Sequence, residues 1–468
     1  MEHGQVLIVV AFSIVFIIAI MGLALDVGVM FIENARLRRA VDSAALAAAL
    51  QYREGYQMSY LEKSAIEFLG LNGINDPGAL VQVCQDISDP DYPNHHNADL
   101  CPPVGQLARK LVRVVARGNA YLAFLPVIGI DFAPIAAEAT SETASVDVVL
   151  AIDRSESMTW GNPILPLGDP MRDPSVCNLG TSGNGYVGNC QPFDDVKRAA
   201  VSFVDQLYFP YDRVAVVTFD KDPHDVMDFS NVKADIINTI KGLTVFQGET
   251  TLADPTGLLA IYPDGLPSRR YDPFGTYYGL NCPQTDPGLN PEPPPYWYPD
   301  YPSPAPCTTT NIGAGLYAAG VEYNDIPVRK NSLWVVILLT DGVANAGYDE
   351  DALYFCPAST WGHSSMPPKC NDGDSSTRHA VGNPNYDSED YAYDGADFVA
   401  DSQNALIFTI GLGGKVTEIS SDGTPIGEIF LEYAANKGFG TYTFAPDSGE
   451  LLVIFREIAR NIATRLAH

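Results

Sequence analysis

Twenty consecutive residues near the start of the chain, Val6 to Leu25 (VLIVVAFSIVFIIAIMGLAL), carry no charge, and Ser13 is their one polar side chain. As a helix this run matches a hydrocarbon core of about 30 Å. Only Glu2 and His3 precede it as ionisable side chains, and Asp26 is the first charge after it. The run is longer than the apolar part of a cleaved secretory signal and lacks its positive start, so a retained anchor is expected. The helical pattern continues through ENARLRRAVDSAALAAALQ, rich in strong helix formers. No proline occurs in residues 1–75. The expectation is one nearly continuous helix over residues 6–51, about 69 Å long. It serves either as a membrane anchor with a helical stalk or as a rod that packs against other subunits. In a packed rod Asp26 needs a partner, because an unpaired buried carboxylate is costly. The candidates are the N-terminal amine of a neighbouring subunit or a protonated state.

Charge and cysteine usage narrow the setting. The 468 residues hold 57 acids against 28 bases, a net charge of −29. That balance disfavours nucleic acid and anionic lipid surfaces as partners and leaves divalent cations plausible. Residues 1–140 carry 14 acids and 9 bases, so most of the excess lies beyond them. Eight cysteines fall as sequential neighbours, 84–101, 177–190, 282–307 and 356–370, each pair bracketing a loop rich in Pro, Gly, Asn or Asp. No CxxC occurs, so zinc knuckles and thioredoxin-like sites lack support. Four local disulfides are the economical reading, and they fit an oxidising compartment. Arg36, Arg38 and Arg39 follow the apolar run and no Lys or Arg precedes it. The positive-inside tendency would place the bulk of the chain in the cytoplasm; the cysteines argue for the opposite side.

Three regions follow: residues 1–54, the apolar helix; residues 55–142, a small α+β unit; and residues 143–468, an α/β domain. In the last, SVDVVLAID, DRVAVVTFD, NSLWVVILLTDG and ALIFTIGLG are near-continuous apolar runs, as in buried parallel strands. Helical patterns alternate with them, at 194–207, 231–243, 310–323, 393–403, 428–436 and 450–466. The fold class expected is α/β, a doubly wound, mostly parallel sheet. Insertions near 159–193, 250–307 and 346–385 interrupt it, the second ending in PEPPPYWYPDYPSPAPC, which reads as a stiff surface loop.

Two of these strands end in oxygen-bearing residues. Asp153-Arg154-Ser155-Glu156-Ser157 follows the first, and Thr340-Asp341-Gly342 follows the most apolar. Thr310-Asn311-Ile312-Gly313 opens a helix between them. Carboxylates and hydroxyls suit Mg²⁺, Mn²⁺ or Ca²⁺, and no His or Cys is present to favour zinc. Ligands in such sheets bind at the carboxyl ends of the strands. The acidic loops GYDED (347–351) and CNDGDSS (370–376) read as solvated. No phosphate loop, G-x-S-x-G elbow or zinc-protease H-E-x-x-H motif is present, so catalysis has no positive support.

D-x-S-x-S after a first strand, a T-N-I-G loop and L-L-T-D-G together resemble the von Willebrand factor type A domain and its metal-ion-dependent adhesion site. The resemblance covers roughly 144–466. It implies that Asp153, Ser155, Ser157, Thr310 and Asp341 hold a divalent cation, Mg²⁺ foremost. It also implies that one coordination position is left for an acidic group on a protein or surface ligand. Glu156 stands where the commoner motif has Gly, and Gly248-Glu249-Thr250-Thr251 competes with Thr310 for the second loop. The N-terminal stretch Gly4-Gln5-Val6, GLALDVGVMF and RLRRAVDSAALAAA resembles the TadE/TadG-like proteins of tight-adherence (Tad/Flp) pili, over about 1–55. A prepilin-peptidase cut after Gly4 is possible by analogy, with Val9 at the position where pilins usually carry Glu. Together these imply a surface or pilus-associated protein with an extracytoplasmic adhesive domain. Its partners would be the membrane and other pilus subunits or copies of itself, met through residues 5–51. The alternatives are a filament-forming, pilin-like subunit and an intracellular module of an ATPase or chelatase complex.

Overall fold

The computed structural model describes residues 3–465 except 53–54, 56, 77, 85–94, 104–105, 160–173, 221–222, 247–309, 325–327, 330, 345–376, 382, 384–385, 418 and 420–424. The pairs 282–307 and 356–370, and the competing Gly248–Thr251 segment, lie outside the described residues. The chain divides into two compact units, the first ending at Ser145 and the second spanning Val146–Arg465.

In the first unit α1 runs unbroken from His3 to Ala49. Its second half buries Leu37, Ala40, Val41, Ala44, Ala45 and Ala48, spaced three and four apart on one face. Small side chains on that face let a sheet and a second helix, α2 (Met58–Leu71), approach closely. The sheet is antiparallel, in the order β1 (Leu80–Val83), β2 (Lys110–Tyr121), β3 (Phe132–Thr143). Along β2, Val112, Val114 and Ala116 alternate inward, as a sheet with one covered face requires. Cys84–Cys101 closes the connection between β1 and β2.

The β2–β3 hairpin runs alongside α1. Thr143, at its base, donates a hydrogen bond to the Ala49 carbonyl. At the other end its turn meets Asp26, which is fully buried. The N–H groups of Ala123, Phe124 and Leu125 donate to the Asp26 carboxylate at 2.6, 3.0 and 2.8 Å. This corrects the sequence expectation. The carboxylate is satisfied inside its own chain by backbone donors, a partner not among those the sequence suggested. One turn earlier, Gly22 leaves room for the Phe124 ring: a Cβ there would fall 2.9 Å from it.

The second unit is a six-stranded sheet in the order β6-β5-β4-β7-β8-β9. Its strands are β4 (Val146–Asp153), β5 (Arg213–Phe219), β6 (Pro223–Ser230), β7 (Leu333–Thr340), β8 (Leu406–Leu412) and β9 (Tyr442–Ala445). All neighbours pair in parallel except the β5–β6 hairpin. A single turn, α3 (Pro174–Cys177), leads to α4 (Phe193–Val204), and Cys177–Cys190 staples the loop between them. The helices α5 (Lys233–Gly242), α6 (Ile312–Val321), α7 (Ser388–Asp397), α8 (Ile426–Lys437) and α9 (Leu451–Arg465) complete the layers. Ile312, Leu316, Ala392 and Leu431 of α6 to α8 pack on Val149, Val217 and Leu338 of one sheet face. On the other, α9 lays Arg465 over Phe408 and meets α4 through Phe203 and Phe455. Chain order leaves β4 toward β5 on one side and β7 on the other. The switch point therefore lies between the carboxyl ends of β4 and β7, where such folds open a crevice.

Candidate metal centre

Asp153 is the last residue of β4 and Asp341 the first beyond β7, so adjacent parallel strands deliver both carboxylates to the switch point. The loop after β4 folds back on itself. The Ser155 N–H donates to Asp153 Oδ1 at 2.8 Å, and the Met158 N–H closes a turn onto the Ser155 carbonyl. That turn brings the Ser155 and Ser157 hydroxyls to 2.9 Å, and Ser157 donates to Asp341 Oδ1 at 2.6 Å. The Thr340 hydroxyl donates to Asp153 Oδ2 at 2.6 Å. A chain of hydrogen bonds thus joins Thr340, Asp153, Ser155, Ser157 and Asp341, all of them buried.

The third loop arrives through β5. The Asn311 N–H donates to the carbonyl of Asp220, just beyond β5, and the Asn311 side chain caps α6 by accepting from the Ala314 N–H. This places Thr310 beside Gly342, the residue after Asp341: its Oγ1 lies 3.7 Å from where a Cβ on Gly342 would sit. All five sequence-expected residues therefore gather at one sheet edge. Sequence reasoning passed over Thr340, although it stands in the T-D-G motif, and Asp220. The second ends its apolar strand with an acid just as Asp153 does, and that signal was available. Asp220 holds Arg154 at 3.2 Å, fixing the residue between the two motif positions.

The electrostatics are unfavourable without a cation. Burial, then the charge of Asp341, pushes Asp153 up to about 7, against the opposing hydrogen bonds from Thr340 and Ser155. Burial also raises Asp341, opposed by the Ser157 hydrogen bond and the positive charge of Lys415. Asp147, at the other end of the same strand, makes the contrast. Its carboxylate takes Arg213 at 2.9 and 2.8 Å, Arg329 at 3.2 Å and Ser332 at 2.6 Å. Among the described residues neither Asp153 nor Asp341 has an ion pair. Two buried carboxylates, three hydroxyls and a deficit of positive charge are the donor set of a hard divalent cation, and the residues present fit one. Asp153, Ser155, Ser157, Thr310 and Asp341 would hold it. Bound, the ion would supply a Lewis-acidic point for an anionic ligand atom.

Two families match the sequence: the von Willebrand factor type A domain over residues 148–261, and the TadE/G-like Flp pilus-assembly family over residues 4–51. The chain joins a TadE/G-like segment to a von Willebrand factor type A domain. A search of curated proteins finds no match. Among solved structures, the chain is similar to proximal thread matrix protein 1 from the mussel byssus. That likeness has 13% identity and a TM-score of 0.35, and covers 68% of this chain and 48% of that one. The chain thus spans about half the length of the mussel protein, which has also been solved with a zinc-occupied MIDAS motif. The PilB minor pilin of Streptococcus sanguinis (a D319A mutant) matches at 16% identity and TM-score 0.37, over 77% of this chain and 76% of that. The pilus adhesin SpaC of Lactobacillus rhamnosus GG matches at 13% and 0.37, over 76% and 33%. The TadE/G-like segment and apolar helix point to membrane or pilus association, and the two disulfides fit an extracytoplasmic setting.

Proposed function

We propose that this protein is a pilus-assembly component or minor pilin that presents its type A domain outside the cytoplasm as a cation-dependent adhesion module. The observation that carries the reading is the pairing of Asp153 with Asp341. Two like charges are buried against hydroxyls, with no ion pair to either among the described residues. A divalent cation, Mg²⁺ before Mn²⁺ or Ca²⁺, offsets that repulsion. The ligand is then a protein or surface group offering a carboxylate to the ion, as the family resemblance implies. The membrane and other pilus subunits are the partners of the N-terminal helix.

The test is attachment of purified full-length protein to surfaces with and without Mg²⁺. Asp153→Ala and Asp341→Ala abolish Mg²⁺-dependent attachment and leave the circular dichroism spectrum near wild type; Ser155→Ala, losing a neutral ligand, has the smaller effect. Attachment that survives both chelation and Asp153→Ala would overturn the reading while leaving the fold untouched.

A further inference from the structure

The turn that fastens Asp26 is itself apolar and open. Between Tyr121 and Phe132 the hairpin reads YLAFLPVIGIDF, with Asp131 its one ionisable residue. Val127 and Ile128, at the tip, are 88% and 70% exposed, and Phe124 and Ile130 beside them are also exposed. A turn in water ordinarily carries polar residues, and an apolar patch of this kind marks a contact surface.

The rest of the hairpin is graded. At its base, cross-strand ion pairs Arg109–Glu142 and Arg113–Glu138 face solvent. Toward the tip, Tyr121 and Phe132 pair edge to face, centroids 6.2 Å apart. Beyond them, Asp131 apart, come aliphatic side chains and Phe124. Charge, then aromatic, then aliphatic is the order of side chains met on entering a bilayer through its interface. Asp131 adjoins Phe132, at the aromatic level rather than at the tip.

The position of this tip along α1 is fixed. Gly22 receives Phe124 and Asp26 receives three backbone donors, so the tip stands at the end of the apolar run. From Val6 to Leu25 is about 29 Å of helix, close to the thickness of a hydrocarbon core. The apolar side chains of α1 from Val9 to Leu25 are exposed along that length. If the run fills the core, the tip meets the membrane surface.

We infer that the β2–β3 hairpin tip inserts into the lipid leaflet nearest the folded unit, making a second membrane contact beside α1. Its occupant is the interfacial acyl region of a bilayer. With no Lys or Arg between Tyr121 and Phe132, insertion needs no anionic headgroup. The inference rests on α1 spanning a membrane, and the experiment separates the two.

Full-length Val127→Trp is reconstituted in phosphatidylcholine vesicles whose acyl chains are brominated. Its emission beyond that of the parent protein is measured beside Thr140→Trp, at the hairpin base, and Phe16→Trp, within α1. Ile128→Trp repeats the reading should Val127→Trp not fold, folding being checked by the Cys84–Cys101 bond. Expected are a blue-shifted emission at 127 and loss of most of it to the bromines, with position 140 unquenched. Quenching at 16 without quenching at 127 overturns the inference and leaves the span intact. Quenching at neither overturns both. A photo-crosslinker at residue 128 that captures another protein chain rather than lipid also overturns it, in favour of a subunit contact.

Discussion

Asp147 and Asp153 occupy the two ends of one strand, and their surroundings assign them opposite tasks. Asp147 is held by two guanidiniums and a hydroxyl, so it is structural. Asp147→Ala strands Arg213 and Arg329 and should cost about 3–5 kcal/mol of stability, read by urea unfolding of the full chain. Asp153 stands against a second carboxylate, and its proton affinity is raised in the folded state. The native protein then binds more protons than the unfolded chain between the ordinary Asp value and about 7. Metal-free protein should therefore lose stability as pH rises through that window. Asp153→Asn should flatten the loss, and saturating Mg²⁺ should reverse it; a urea midpoint in chelator with no such trend refutes the account. Asp153, Ser155, Ser157 and Asp341 were legible because each follows an apolar strand within a short motif. Asp147 was not, since an acid opening an apolar run carries no local sign of the arginines that will meet it.

Elements differ in the same way. Strands β4, β7 and β8 announce themselves as apolar runs because both sheet faces are covered. Strand β6 does not: PHDVMDFS lies at a sheet edge, half exposed, and its pairing with β5 slips register twice. Strand β1 is four residues long and sits amid turn-forming residues. Helix α7 starts at Ser388, earlier than its apolar pattern, because Asp387 and Asp390 form a capping box there. The union of α1 with the hairpin was invisible for a different reason, since its partners lie 97 to 99 residues apart. It is testable as a unit. Asp26→Ala should leave three amides without an acceptor, about 1–3 kcal/mol for each that stays buried. Hydrogen exchange at Ala123, Phe124 and Leu125 should quicken. Gly22→Leu should do the same by displacing Phe124; unchanged exchange in both variants would mean the hairpin holds without the helix.

For the molecule as a whole, a net charge of −29 gathers divalent cations non-specifically. Salt distinguishes that atmosphere from a site. At 1 M ionic strength the Debye length is about 3 Å, so diffuse binding fades while a buried ion with direct oxygen ligands persists. Equilibrium dialysis at high salt should give Asp341→Ala one Mg²⁺ fewer per chain than wild type. Equal stoichiometry would place the bound ions elsewhere.

The fastening of Asp26 also imposes an order on synthesis. A ribosome working at roughly 5–20 residues per second delivers Ala123 to Leu125 about 5–20 s after Asp26. Throughout that interval the acid at the end of the apolar run has none of the donors that will hold it, and the hairpin sets no limit on the axial position of the helix. When the hairpin closes, that limit is set. If α1 spans a membrane, the depth at which it comes to rest is then set by a segment translated a hundred residues later, and a nascent chain stalled before residue 123 should still be free to shift.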